Sequence, residues 1–145
     1  MLSPDAKKKL TSMLMQHEGY SPHPYLCPTG ALTIGWGHNL DAMGITPAVG
    51  ALMLSEDIQY FEQELPKKLN FWNRLNDARK AVLLNMAFNL GVFGLLNFRK
   101  MLTAVDHNCF DEAAKEMLDS KWATQVKSRA EELARIMRTG EFDPK

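Results

Sequence analysis

The chain has 145 residues, enough for one domain with a sizeable core and too few for two ordinary ones. Apolar residues make up 46% and charged ones 23%, the composition of a folded globular protein. Lys and Arg together number 17, as do Asp and Glu, and this balance speaks against duplex DNA or an anionic membrane gripped by bulk charge.

In chain order, Ser3-Pro4 reads as an N-cap with proline in the first turn. Ala6, Leu10, Met13 and Leu14 recur at helical spacing and Gly19 is a stop, so helix one spans roughly 4–17 with Glu18 at its edge. The start of the chain holds no apolar run long enough for a signal peptide or anchor, so the expectation is synthesis in the cytoplasm without stable membrane association. From Ser21 to Gly37, two short runs, Tyr25-Leu26-Cys27 and Ala31-Leu32-Thr33-Ile34, flank Pro28-Thr29-Gly30, the signature of a hairpin turn.

The rest reads as helical. Thr46-Pro47 opens a long helix expected to end at Leu65 before Pro66. Asn76-Asp77 opens another, apolar around almost its whole circumference through Leu90 and stopped by Gly91, which predicts a buried central helix. Shorter helices follow near 97–106 and 110–119, and a last one near 126–139 ends at Gly140. The expected fold class is α+β, mostly α, in a single domain. A small hairpin lobe (about 19–50) is joined by the long helix to a helical lobe formed by helix one and about 66–145.

Cys27 and Cys109 are too few for a disulfide framework, although one bridge between them is open. The four histidines have no ligand-like spacing with each other or with the cysteines, so neither a metal nor another cofactor is expected. Trp36, Trp72 and Trp122 suit sugar stacking, but large aromatics are more often core or cleft wall.

One constellation is more specific. Glu18-Gly19 is followed nine residues later by Cys27 and six after that by Thr33, inside Leu32-Thr33-Ile34-Gly35-Trp36-Gly37-His38. Further along come Leu75-Asn76-Asp77-Ala78-Arg79-Lys80-Ala81, Asn85-Met86-Ala87-Phe88-Asn89-Leu90-Gly91, Asp111-Glu112-Ala113-Ala114, Ser120-Lys121-Trp122 and Arg138-Thr139-Gly140. In order and spacing these resemble the phage-type lysozymes of glycoside hydrolase family twenty-four, over nearly the whole chain. The stretch between Asn39 and Leu75 is shorter than in the family's best-known member.

The resemblance implies a lysozyme-like fold and hydrolysis of the β-1,4 bond between N-acetylmuramic acid and N-acetylglucosamine in peptidoglycan. It implies Glu18 as general acid, Cys27 where the second catalytic carboxylate often stands, and Thr33 as the residue orienting water. Arg129 falls where the family places a cation near the catalytic Glu, and His38 and Asp57 match a buried structural ion pair. Phe88 and Asn89 match glycan-contacting positions. Asn39, Met101 and Glu116 align with others but differ in residue type from the best-known member. A monomer is expected, and the resemblance implies a separate holin-type pore through which an endolysin would reach the wall.

Other readings stay open at this level. A lytic transglycosylase runs on one carboxyl group, which Cys27 makes relevant. A wall-binding module would keep the cleft without turnover. A helical DNA-binding protein fits poorly with zero net charge and no clustered basic face.

Overall fold

The fold was obtained as a computed structural model, which describes residues 1–142. It is mostly helical, with a small three-stranded antiparallel sheet near the N-terminus. The chain divides into two compact units, Met1–Leu52 and Met53–Lys145, and α1 is grouped with the sheet rather than with the later helices.

Helix α1 spans Pro4–Glu18. The Ser3 hydroxyl accepts the Ala6 amide at 3.2 Å, satisfying one of the amides a helix start leaves without a partner. At the other end Gly19 takes φ 69°, ψ 166°, a region open essentially to glycine alone, so the helix terminates directly after Glu18.

Strands β1 (Ser21–Leu26), β2 (Leu32–Gly35) and β3 (His38–Asn39) lie in the order β1-β2-β3. The Gly30 amide donates to the Cys27 carbonyl at 2.8 Å, closing the expected turn. Tyr25 and Leu26 pair with Thr33 and Leu32, and the register then shifts before Ser21 meets Gly35. Pro22 and Pro24 lie in that irregular stretch, where their lack of an N–H fits a bulge better than a regular ladder. Strand β3 was not anticipated; two residues are too short to show a period.

Helix α2 (Leu40–Met43) is bound back onto the sheet. Asn39 Oδ1 caps it by accepting the Ala42 amide at 2.9 Å, and Asp41 Oδ2 accepts the Leu32 amide at 2.6 Å.

Helix α3 spans Pro47–Lys68, and the division between the two units falls within it. Its start is as expected, with Thr46 Oγ1 accepting the Val49 amide at 3.2 Å. Its end is not, because Pro66 lies inside the helix. A proline in the last turn removes a single amide bond, and burial of Leu65, Leu69 and Phe71 in the core holds the segment in place.

After a 3₁₀ turn at Trp72–Arg74 come α4 (Asp77–Leu96), α5 (Arg99–Asp106), α6 (Phe110–Leu118), α7 (Lys121–Val126) and α8 (Ser128–Thr139). Asn76 caps α4 through the Arg79 amide at 3.0 Å, and the helix breaks at Gly91 (φ 78°, ψ 165°), where the stop was expected. Helix α7 was not anticipated. Ser120 caps it, and Lys127 at φ 48° separates it from α8.

Val82, Leu83, Met86 and Ala87 of α4 are fully buried, in one core with Leu65, Val105, Met117 and Met137. The helix is not enclosed all round, however: Asn85 and Asn89 are exposed, and Phe88 keeps 46% of its surface. By length and composition α4 is apolar enough to cross a membrane, but its buried face is the core of the second unit.

Arg79 joins the start of α4 to the end of α8. Its Nε donates to the Met137 carbonyl at 2.8 Å and its Nη2 to the Arg138 carbonyl at 3.0 Å, while the guanidinium lies 3.4 Å from the Phe110 ring centroid. A cation there satisfies carbonyls that the helix end would leave unpaired. Asn76 Nδ2 adds a bond to the Gly140 carbonyl at 2.9 Å.

Candidate active site

The candidate acid sits at the end of a capped helix. Glu18 is exposed, so its carboxyl is open to a ligand. A β-carbon added to Gly37 would stand 2.8 Å from both Cδ and Oε2 of Glu18. Gly37 also has φ 71°, so the turn between β2 and β3 favours glycine for its backbone, and any side chain there would have to push the Glu18 carboxyl aside. The glycine string of the sequence thus acquires a specific task, which the string alone did not reveal.

Cys27 is a half-buried free thiol at the first position of the β1–β2 turn, and Cys109 is likewise free, so no bridge joins them. Its Sγ lies 3.0 Å from Thr29 Oγ1. The Thr29 hydroxyl bond, then backbone hydrogen bonds at Thr29 and Ala31, bring the Cys27 pKa down to about 7 against a small opposing effect of desolvation; Thr33 contributes least. A turn-opening side chain that accepts hydrogen bonds two residues on is the arrangement Asp commonly makes. Cys27 therefore sits in a turn position where a partly ionised thiol can accept hydrogen bonds. Thr29 was not singled out from sequence; its place two residues after Cys27 in a turn was the available signal.

Thr33 is the one buried polar residue among the described residues, 3% exposed, and its hydroxyl donates to the Ala31 carbonyl at 2.9 Å. That carbonyl also accepts the Cys27 amide at 3.0 Å, so the two candidate residues share one anchor. Thr33 pairs with Tyr25 on one side and Asn39 on the other, which puts the three in one row across one face of the sheet. Asn39 is committed through Oδ1 to capping α2. His38 Nε2 is hydrogen-bonded to the Gly44 carbonyl, and Asp57, its expected partner, is exposed on α3.

The remaining candidates lie in the second unit. Arg129 donates from Nε and Nη2 to Asn85 Oδ1, at 2.9 and 2.7 Å, and from Nη2 to the Asn85 carbonyl at 3.3 Å. Asn85 thus holds this cation, a pairing across 44 residues that the sequence pattern does not show. Arg129, Asn85 and Phe88 line one groove of about 290 Å³ with Phe61 and Leu84. Asn89 is exposed, and its Oδ1 accepts the buried Trp122 indole at 2.8 Å.

Met101 is only 1% exposed and packs in the core of the second unit. With the half-buried Glu116 it borders a second groove of about 480 Å³, flanked by Arg99, Lys100 and Lys121. Among the described residues no cluster of three His, Cys, Asp or Glu side chains is placed to hold a metal ion.

Comparison with known proteins agrees with the motif reading. A family profile described as phage lysozyme matches residues 15–138. The chain is 30% identical over 162 residues to the pre-baseplate central spike protein Gp5 of Enterobacteria phage T4, covering 92% of this chain but 28% of that protein. It is 26% identical over 160 residues to "Probable T4-type lysozyme 1" of Dictyostelium discoideum and 28% identical over 160 residues to "Probable T4-type lysozyme 2" of the same organism. Each of these two alignments covers 90% of this chain and 94% of the relative. The chain belongs to the phage lysozyme family.

Proposed function

We propose that the protein is a muramidase that hydrolyses the β-1,4 bond between N-acetylmuramic acid and N-acetylglucosamine in peptidoglycan. The observation that carries this reading is the first unit's pairing of chemistries: an exposed carboxyl seated against Gly37, and a thiol brought down to about 7 beside a buried threonine. Protonated Glu18 donates its proton to the glycosidic oxygen as the C1–O bond breaks through an oxocarbenium-like state. The Cys27 thiolate accepts a proton from the attacking water, whose oxygen bonds to C1, and the Thr33 oxygen helps to orient that water. A thiol of ordinary pKa is mostly neutral at pH 7, whereas one near 7 is about half thiolate.

Phe88, Asn89 and Arg129 are assigned to the cleft wall of the second unit, and Glu116 to a more distant sugar contact. We further infer a monomer made in the cytoplasm that reaches the wall through a separate pore.

Product analysis on purified peptidoglycan tests the reading. The wild type releases reducing muramic ends, and Glu18→Gln lowers turnover by at least about a hundredfold while remaining folded. Anhydro-muramic ends would instead identify a lytic transglycosylase working on Glu18 alone. Sacculus binding with no sugar released by either form would identify a binding module.

A further inference from the structure

We propose that Tyr20 and Trp36 form a sugar-binding platform beside Glu18, which takes the apolar face of an N-acetylhexosamine ring of the wall glycan. Their ring centroids lie 4.6 Å apart with planes tilted by 47°. Tyr20 is 61% exposed and Trp36 47%, whereas the other two tryptophans, Trp72 and Trp122, are buried. Large aromatic side chains contribute most by leaving water. Here two of them pack on one another at the surface of the first unit and keep ring surface in contact with solvent.

Both rings are tied to the candidate acid through the backbone. Tyr20 follows Gly19, the residue that ends α1 directly after Glu18. Trp36 lies between Gly35 and Gly37 in the turn from β2 to β3, and Gly37 lies against the Glu18 carboxyl. Both rings thus flank, along the chain, the two backbone positions that hold the Glu18 carboxyl.

The occupant follows from that position. A pyranose ring has one face of C–H groups and hydroxyls around its rim, so it covers an aromatic surface while its polar groups stay hydrated or bonded. The acetamido methyl group adds apolar surface at the ring's edge. The platform neighbours the acid and not an independent apolar face, which favours a glycan over a protein partner. The assignment rests on the muramidase reading.

The test uses the full chain carrying Glu18→Gln, titrated with the β-1,4-linked tetramer of N-acetylglucosamine while tryptophan emission is followed. Emission is expected to shift and saturate, Trp36→Phe to abolish the shift, and Tyr20→Ala to weaken binding by up to about tenfold. In the active chain, Trp36→Ala should raise KM on peptidoglycan about tenfold with kcat nearly unchanged, and Trp36→Tyr should recover most of the loss. Tyr20→Ala carries the test if Trp36→Ala is unfolded by circular dichroism, and undiminished tetramer binding by Tyr20→Ala then overturns the platform. A parent emission unmoved by the tetramer, or a KM unmoved by Trp36→Ala, overturns the platform. Undiminished wall clearance by Glu18→Gln overturns the muramidase reading instead, so the two failures are distinct.

Discussion

The backbone of Gly37 packs against the carboxyl of Glu18, so that a single added methyl group would stand 2.8 Å from carboxyl atoms. Gly37→Ala is therefore expected to displace the acid as well as strain a residue at φ 71°. Activity should fall by about a hundredfold, the cost of misplacing a reacting group by roughly an ångström. The backbone strain costs about 1–2 kcal/mol. Wall clearance and thermal unfolding of the same variant check both, and full activity with the expected loss of stability would show that the carboxyl position does not matter.

The Cys27 thiol has a sign that can be worked out. With its pKa lowered to about 7, the thiolate is populated above that pH and lost below it, so alkylation by iodoacetamide should reach half its maximal rate near pH 7. Thr29→Val removes the largest cause and should move that midpoint upward. If the thiolate is the working base, activity has an acid limb at the same pH, and Cys27→Asp shifts the limb into the carboxylate range while Cys27→Ala removes most of the turnover. An alkylation midpoint at the ordinary thiol value would refute the stabilisation of the thiolate by the Thr29 and Ala31 hydrogen bonds.

Asn85 is a positioning residue for Arg129, which it holds by three hydrogen bonds. Asn85→Ala should release the guanidinium and lower kcat on peptidoglycan by roughly tenfold, and Asn85→Asp should restore part of that loss by pairing with the cation. Steady-state kinetics of the two variants decide: equal losses in both would mean that the contact serves packing only.

Arg79 is expected to matter for stability and not for chemistry. Arg79→Ala removes two charge-assisted bonds to α8 carbonyls and a ring contact, and should cost about 2–3 kcal/mol. Arg79→Lys should recover less than half, because an ammonium cannot reproduce a forked, planar contact. Urea unfolding of the second unit's core measures it, and an unchanged midpoint in Arg79→Ala would contradict the assignment.

Much of this was legible where one residue decides a local outcome. Ser3, Asn76 and Gly19 set helix ends through their own side chain or backbone, and each sits where its type predicts. Features requiring a partner distant in sequence were not legible. Strand β3 exists because His38 and Asn39 pair with Ile34 and Thr33, and the Leu32 amide is satisfied by Asp41 across nine residues. Pro66 misled because a local breaker was outweighed by the burial of Leu65. Helix α7 went unread because six residues hold too few turns to show a helical period, and its Ser120 cap alone does not announce a helix. For the site, the residue types Glu18, Cys27 and Thr33 could be read off the chain. The hydroxyl beside the thiol and the Cα behind the carboxyl could not, since both depend on how the turns fold.

The irregular course of β1 has a consequence for self-association. As the outer strand of its sheet it offers an open flank, the usual template on which a stray chain adds itself. Pro22 and Pro24 delete two donors from β1 and the break in register bends it, so a second hairpin finds no continuous ladder to extend. The same prolines that make the segment unlike a strand on paper keep it from seeding aggregates when the protein is concentrated.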